Sequence, residues 1–197
     1  MFSGKEWGTA LRFWSENLLT AYRNFTKGES PDRQTRLARI AGSTIGGASM
    51  CMLVSLLERL VLDLLTANNP QGQATQVRLQ DPAWRGQLNL DVNWDGWRLL
   101  DGVVALRHCF AHEFGRVTAR QRNAIVSLQA DLGAGGVSVT LLNQLPGGAA
   151  KQVTIAPFFK VDSSDNILLD QDSTSKALRL LCLGVLRQLE HQGHIVL

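Results

Sequence analysis

The sequence has few charged residues, few cysteines and no long uninterrupted apolar run, and each shortage excludes a class of protein. Charged residues make up only 19% of the 197 residues and hydrophobic residues make up 45%. This balance excludes a disordered chain and allows a sizeable buried core. The length fits one domain, 1–197, or one domain with an elaboration. A net charge of +3 permits a nucleic-acid partner without requiring one.

The three cysteines are Cys51, Cys109 and Cys182, which lie far apart in apolar surroundings. An odd and scattered set is a poor disulfide framework and lacks the spacing of zinc ligands. We therefore expect buried thiols in a reducing cytosol, with no metal and no other cofactor.

No segment has the pattern of a membrane anchor. The N-terminal stretch 1–14 contains Lys5, Glu6 and Arg12 and so lacks the apolar core of a signal peptide. The most apolar run, 50–65, is interrupted by charged residues and is typical of a buried helix. The sequence thus predicts a cytoplasmic protein that does not engage a membrane.

The apolar periodicity predicts a mainly α fold. Steps of three and four residues predict a helix over 7–25, and Ser30-Pro31 opens a second helix that runs from about Asp32 to Thr66. Glycines at 42, 46 and 47 in its middle predict either a kink or the close packing of another helix. They do not form a phosphate loop, because no lysine followed by Ser or Thr accompanies them.

A long polar connection, 67–94, separates these helices from three others. We expect one short helix in it near 82–86. Loops of this length are often functional, although Trp84 and Trp94 are expected to pin this one to the core rather than to stack on a base. The later helices are predicted from Asn93 or Asp95 to near Gly115, from Thr118 to about Leu132, and from Ser175 to His191 with Asp172 or Ser173 as its cap.

Between the last two helices the apolar period changes to two. Alternation in 137–141, a returning strand over 153–161 and a short strand at 167–169 predict a two- or three-stranded antiparallel insert at about 136–169. Asp162 and Asp165 lack the spacing of a calcium loop and are interpreted as turn residues.

The stretch 103–116 concentrates ionisable chemistry, because Arg107, His108 and His112 follow an apolar run on one predicted helix. Histidine transfers protons near neutrality, and arginine neutralises phosphate oxygens. Together they suit metal-independent cleavage of RNA, in which an imidazole assists the 2′-hydroxyl or the leaving oxygen and the guanidinium stabilises the pentacoordinate phosphorus. Glu58, on an otherwise apolar stretch, needs a partner, either Arg59 or an arginine of this motif.

Helix geometry restricts how these side chains combine. Residues five apart lie about 140° apart around the axis, so Arg107 and His112 are not neighbours. His108 and His112, four apart, share a face. Either the long Arg107 side chain reaches around the helix, or the site forms between two copies across a two-fold axis. We favour the second arrangement.

Three other interpretations stay open. A metal pair of His108 and His112 lacks the glutamate of a zinc-protease helix, and Cys109 as a nucleophile is weakened by its apolar neighbours. Arg107 and His112 can also be purely structural. Two arginines near the start of the fourth helix, Arg120 and Arg122, oppose the helix dipole. They are expected to bind an anion or a carboxylate, and the alternative is that they are solvated at the helix end.

Arg107-His-Cys-Phe-Ala-His112 resembles the Arg-x(4–6)-His motif of the HEPN superfamily. The preceding apolar run 99–106 and the earlier acid-bearing helix with Ser55-Leu-Leu-Glu58 are similar to the family pattern. The resemblance covers about 50–132 and leaves out the β insert. One position departs from the pattern, because the residue after the arginine is commonly asparagine or another polar residue and is His108 here.

The resemblance implies a HEPN-like bundle of four to five helices, usually dimeric, acting as a metal-independent endoribonuclease. It implies Arg107 and His112 as catalytic residues, and we expect His108 and Glu58 to be auxiliary. RNA is the expected partner, and the expected contact residues are Arg116, Arg120 and Arg122. Such domains serve in toxin–antitoxin and phage-defence systems, where an antitoxin or another defence protein is a further partner. The alternative is a catalytically inactive RNA-binding or dimerisation scaffold.

Overall fold

The computed structural model describes residues 30–68, 77–142 and 149–195, together with Thr20 and Lys27. The predicted helix 7–25 lies, apart from Thr20, outside the described residues. In order, the described elements are α1 (Pro31–Asn68), α2 (Ala83–Gln87), α3 (Gly96–Glu113), α4 (Arg122–Leu132), β1 (Val137–Leu141), β2 (Lys151–Ile155), β3 (Phe159–Val161), β4 (Ile167–Leu169) and α5 (Gln171–His191). This part of the chain is mainly helical with two small antiparallel sheets, as predicted at that level. None of its helices is long and apolar enough to cross a membrane.

The long helix α1 lies at the centre of the core. Its buried residues recur at steps of three and four, which places them on the face that packs against α3, α5 and β4. They are Met50, Leu53, Val54, Leu57, Leu60, Val61, Leu64 and Leu65. Each fully buried aliphatic side chain stabilises the fold by about 1.5–3 kcal/mol relative to an exposed one. The predicted helix over 32–66 is therefore confirmed.

Close packing accounts for Gly47 of α1. A Cβ atom on Gly47 would overlap Cδ1 of Phe110 on α3, so a side chain there requires the ring to move. The same ring crowds Gly115, where a Cβ would lie 2.7 Å from Cε1 of Phe110. Phe110 thus occupies a slot between two glycines, and this slot fixes the C-terminal half of α3 against α1.

Three tryptophans fasten the connection before α3 to the core. Trp84 and Trp97 meet edge to face at 5.4 Å, and Trp94 and Trp97 at 4.8 Å, a geometry that aromatic pairs prefer. Each indole N–H donates to a backbone carbonyl oxygen. Trp84 and Trp94 are buried, so their predicted role in pinning the loop is confirmed and stacking on a base is excluded.

The ends of α3 and α4 differ in detail from the prediction. Asp95 occupies the N-cap position of α3, as one of the two predicted starts, but its side chain makes no capping hydrogen bond. Its carboxylate instead accepts hydrogen bonds from the amide and hydroxyl of Thr140 in β1. Beyond Glu113, Phe114 takes the left-handed conformation with φ 51° and Gly115 follows with φ 88°. Thr118 begins a turn, in which its hydroxyl accepts from the amide of Gln121 at 3.2 Å, and α4 starts only at Arg122.

The β insert is not one sheet of two or three strands but two separate hairpins. β1 pairs with β2, with Val139 opposite Val153, and β3 pairs with β4, with Lys160 opposite Leu168. The strand predicted over 153–161 is broken because Pro157 has no N–H to donate. Next to it, the carbonyl of Phe158 accepts from Asp170 and Thr174 near the start of α5 instead of from a neighbouring strand.

The last helix begins earlier than predicted. Its cap is Asp170, whose carboxylate accepts from the amide of Ser173 at 2.8 Å, and not Asp172 or Ser173. The predicted inward leucines, at 178, 181, 186 and 189, are all buried. They join one hydrophobic cluster with residues of α1, α3 and the strands, so the hairpins belong to the core and are not an appendage.

Candidate functional site

Arg107 of α3 reaches across to α1. Its Nη2 donates to the carboxylate of Glu58 and to the hydroxyl of Ser55, each at 3.4 Å. Arg59, the other expected partner, instead pairs with Asp63 one turn further along α1 at 3.0 Å. The partner of Glu58 is therefore the arginine of the central motif. About a fifth of each side chain in the Arg107–Glu58 pair is exposed (22% and 21%), so the pair remains accessible to a ligand.

The two histidines share one face of α3, as their spacing predicts. The rings of His108 and His112 stack at a centroid distance of 5.9 Å with an interplanar angle of 18°. His108 is half-buried and His112 is exposed. Among the described residues, no hydrogen bond joins Arg107 to His112, because the guanidinium turns toward α1 and the two positions lie on different sides of the helix.

A cavity of about 290 Å³ opens beside Arg107. Its polar lining includes Arg107, His108, Glu58, Arg78 and Arg120. An apolar part of the wall is formed by Val104 and Leu79. His112 is not among its lining residues. The structure therefore brings together four of the predicted site residues (Arg107, His108, Glu58 and Arg120) and leaves His112 outside, at the exposed end of α3.

Arg78 also lines this cavity and was not predicted from the sequence. It lies in the long polar connection before α2. Together with Gln80 of the same segment, it lines the cavity beside Arg107. The only sequence signal was the length of that loop, which indicates function without selecting a residue.

The cavity favours a neutral His108. Burial lowers the pKa of His108, and the positive charges of Arg107, His112, Arg120 and Arg78 lower it further. A neutral imidazole has a free ring nitrogen that accepts a proton or a hydrogen bond. His108 can therefore serve as an acceptor in a site whose other polar groups are mostly donors.

The three arginines expected to contact RNA have different surroundings. Arg122 forms a two-pronged pair with Asp165, at 3.0 and 2.7 Å, which is the carboxylate that its position near a helix start predicted. The backbone of Arg116 bridges to Asn166, and its side chain is exposed. Arg120 lines the cavity. Arg122 is thus engaged in holding the β3–β4 hairpin, whereas Arg120 faces the cavity that a ligand can enter.

The cysteines do not form a nucleophilic centre. Burial raises the pKa of Cys109, and it raises the pKa of Cys182 to about 12. The expectation of three buried thiols is wrong for Cys51 on α1, which is partly exposed and donates a hydrogen bond from its thiol to the backbone carbonyl of Arg107 at 3.8 Å. In the part of the chain that the structure describes, no three His, Cys, Asp or Glu side chains cluster to hold a metal ion.

Comparison of the chain with protein-family models, with curated proteins and with solved structures gave no match.

Proposed function

We propose that this chain is a HEPN-type helical domain that cleaves RNA without a metal ion, as a homodimer, with Arg107 and His112 as catalytic residues. The observation that carries the proposal is the Arg107–Glu58 pair, at 3.4 Å. It holds a guanidinium at the edge of a cavity rich in arginine, on the same helix as two stacked histidines. In the described part of the chain, cations and imidazoles lie together without a cluster of carboxylates. Such a set suits phosphodiester cleavage better than metal-dependent hydrolysis.

In this mechanism an imidazole accepts the proton of a ribose 2′-hydroxyl. The 2′-oxygen then forms a bond to the adjacent phosphorus while the bond from phosphorus to the 5′-oxygen breaks. The leaving oxygen takes a proton from an imidazolium, and the products end in a 2′,3′-cyclic phosphate and a 5′-hydroxyl. Arg107 neutralises the charge that grows on the non-bridging oxygens. Glu58 is a positioning residue, because it acts on the phosphate only through Arg107.

Two features support a dimeric site. Arg107 and His112 diverge on one helix, so a second copy is the simplest source of the complementary side chain. In addition, Phe114 is fully exposed and left-handed, with φ 51°, a conformation that costs about 1–2 kcal/mol for a residue with a side chain. Its side chain lies two residues after His112, at the exposed end of α3, where a second chain can reach it.

The resemblance of the motif to the HEPN pattern also suggests the kind of system in which the domain acts. In this proposal the domain belongs to a bacterial toxin or phage-defence system, and an antitoxin or another defence protein restrains it. RNA is its substrate, and no cofactor is needed.

The chemistry of the products tests the proposal. Purified protein with excess chelator is incubated with an RNA oligonucleotide and with its all-2′-deoxy counterpart, and the products are identified by mass spectrometry. We expect cleavage of the RNA alone, with 2′,3′-cyclic phosphate ends, and loss of cleavage in Arg107→Ala but not in Arg59→Ala. Cleavage of the deoxy strand contradicts the mechanism. Binding of RNA without any cleavage favours the inactive scaffold instead.

A further inference from the structure

The cavity beside Arg107 has an excess of positive charge. Three arginines, Arg78, Arg107 and Arg120, line it, and Glu58 supplies the one carboxylate among its described lining residues. The arginines come from three separate parts of the chain: the connection before α2, helix α3 and the turn before α4. Folding therefore brings three positive charges close together. Their repulsion raises the free energy of the folded state unless an anion is bound.

Two of these arginines have no acidic partner among the described residues. Within the described ranges, neither Arg78 nor Arg120 forms an ion pair, whereas Arg107 is bound by Glu58. Other described arginines do form ion pairs: Arg85 with Asp101, and Arg122 with Asp165. Two guanidinium groups with no acidic partner among the described residues therefore line the same cavity, where a ligand can enter.

The size and walls of the cavity restrict the ligand. A volume of about 290 Å³ is near the lower end of the range for small-molecule sites, which is roughly 300–1,000 Å³. This volume is sufficient for a phosphate with its sugar. The amides of Gln80 and Gln121 add neutral hydrogen-bonding groups, and Val104 provides an apolar wall. A planar guanidinium group can donate two parallel hydrogen bonds to two oxygens of one phosphate.

We infer that this cavity is a phosphate-binding subsite for single-stranded RNA, in which Arg78 and Arg120 hold the phosphate of a nucleotide that flanks the one addressed by Arg107. The identification of the ligand as RNA rests on the proposed function. The anion site itself does not require cleavage. Arg78 and Arg120 are binding residues that contribute equally to the ground state and the transition state, so their loss raises KM and leaves kcat nearly unchanged.

A binding measurement tests this inference apart from catalysis. A fluorescent 2′-O-methyl RNA oligonucleotide, which has no free 2′-hydroxyl, is titrated with wild type, Arg78→Ala, Arg120→Ala and the control Arg59→Ala. Arg59 lies next to Glu58 on α1, is exposed and does not line the cavity. Removal of one charge-assisted hydrogen bond to a phosphate is expected to weaken binding about tenfold. The slope of log affinity against log salt is expected to fall by about 0.7 for each phosphate that is no longer neutralised.

Arg120→Lys serves as a second variant, because it retains the charge and removes the planar fork. It is expected to bind with an affinity between those of wild type and Arg120→Ala. If Arg78→Ala and Arg120→Ala bind with the affinity and salt slope of Arg59→Ala, the subsite is wrong. Failure of the proposed function looks different: wild type then leaves unmodified RNA intact, while the affinity differences among these variants persist.

Discussion

Glu58 accepts a hydrogen bond from the guanidinium of Arg107 at 3.4 Å, and this contact joins two helices across 49 positions of sequence. It also places a carboxylate in the cavity that three arginines line. The charge of Glu58 therefore offsets repulsion that Arg78 and Arg120 would otherwise exert on Arg107. Removal of this charge should therefore lower both the free energy of unfolding and the rate of RNA cleavage.

Glu58→Gln is expected to lower the free energy of unfolding by about 1 kcal/mol at low salt, since the pair is partly buried and its loss leaves like charges together. Urea unfolding at low and high sodium chloride measures the effect. The destabilisation should shrink at high salt, where the repulsion is screened. Asp63→Asn is the matched control on the same helix, because its partner Arg59 is exposed. Equal destabilisation in the two variants would show that Glu58 has no special electrostatic role.

Gly47→Ala is expected to destabilise the protein by about 1–3 kcal/mol, because the new Cβ would displace the ring of Phe110. The displaced ring should also shift the end of α3 and lower RNA cleavage. Gly86→Ala is the control, since no heavy atom lies within 4 Å of its Cβ position. Thermal unfolding of both variants separates a packing effect from a general effect of replacing helical glycine. A neutral Gly47→Ala would contradict the slot between Gly47 and Gly115.

These positions also show how much of the fold and of the candidate site could be predicted from the sequence. Helices with strong periodicity, such as α1 and α5, were predicted to within a few residues, and the local spacing of His108 and His112 placed them on one face. The Glu58–Arg107 pair was one of two alternatives, and only the packing of α3 on α1 decides between them. Arg78 was not predicted, because its role depends on where an irregular segment folds back. The break at Pro157 was overlooked in a strand whose alternation was otherwise regular.

Binding of a phosphodiester is expected to strengthen as the pH falls from about 7.5 to 5.5. Burial, followed by electrostatic interaction with the neighbouring basic side chains, holds the pKa of His108 below its usual value. A bound anion favours the imidazolium and raises that pKa, so the complex takes up a proton that the free protein lacks. The charged groups facing His108 are Arg107, His112, Arg120 and Arg78, with Glu58 across the cavity.

Calorimetry with the 2′-O-methyl oligonucleotide, in buffers of different ionisation enthalpy, measures this proton uptake. His108→Gln should abolish most of it, whereas His112→Gln should retain it. Proton uptake that persists in His108→Gln and disappears in His112→Gln would assign the titration to the exposed ring instead.

A site shared between two copies predicts complementation. Arg107→Ala and His112→Ala are each inactive alone, but a mixed dimer has one intact site if Arg107 and His112 act from different chains. Random pairing of equal amounts should then restore about a quarter of wild-type activity. Phe114→Asp, added to both variants, should prevent the recovery by breaking the interface. No recovery in a mixture that size analysis shows to contain mixed dimers would mean that each site lies within one chain.

The proposed function depends on proton transfer by an imidazole of this motif during RNA cleavage, and the rate of His112→Ala measures that dependence. Single-turnover cleavage of one RNA oligonucleotide is measured in chelator for wild type, His112→Ala and His191→Ala, the last being an exposed histidine on α5. We expect His112→Ala to be slower by about 10²–10⁴-fold, with unchanged circular dichroism and dimer size, and His191→Ala to match wild type. A His112→Ala protein that cleaves RNA at the wild-type rate contradicts the proposed mechanism.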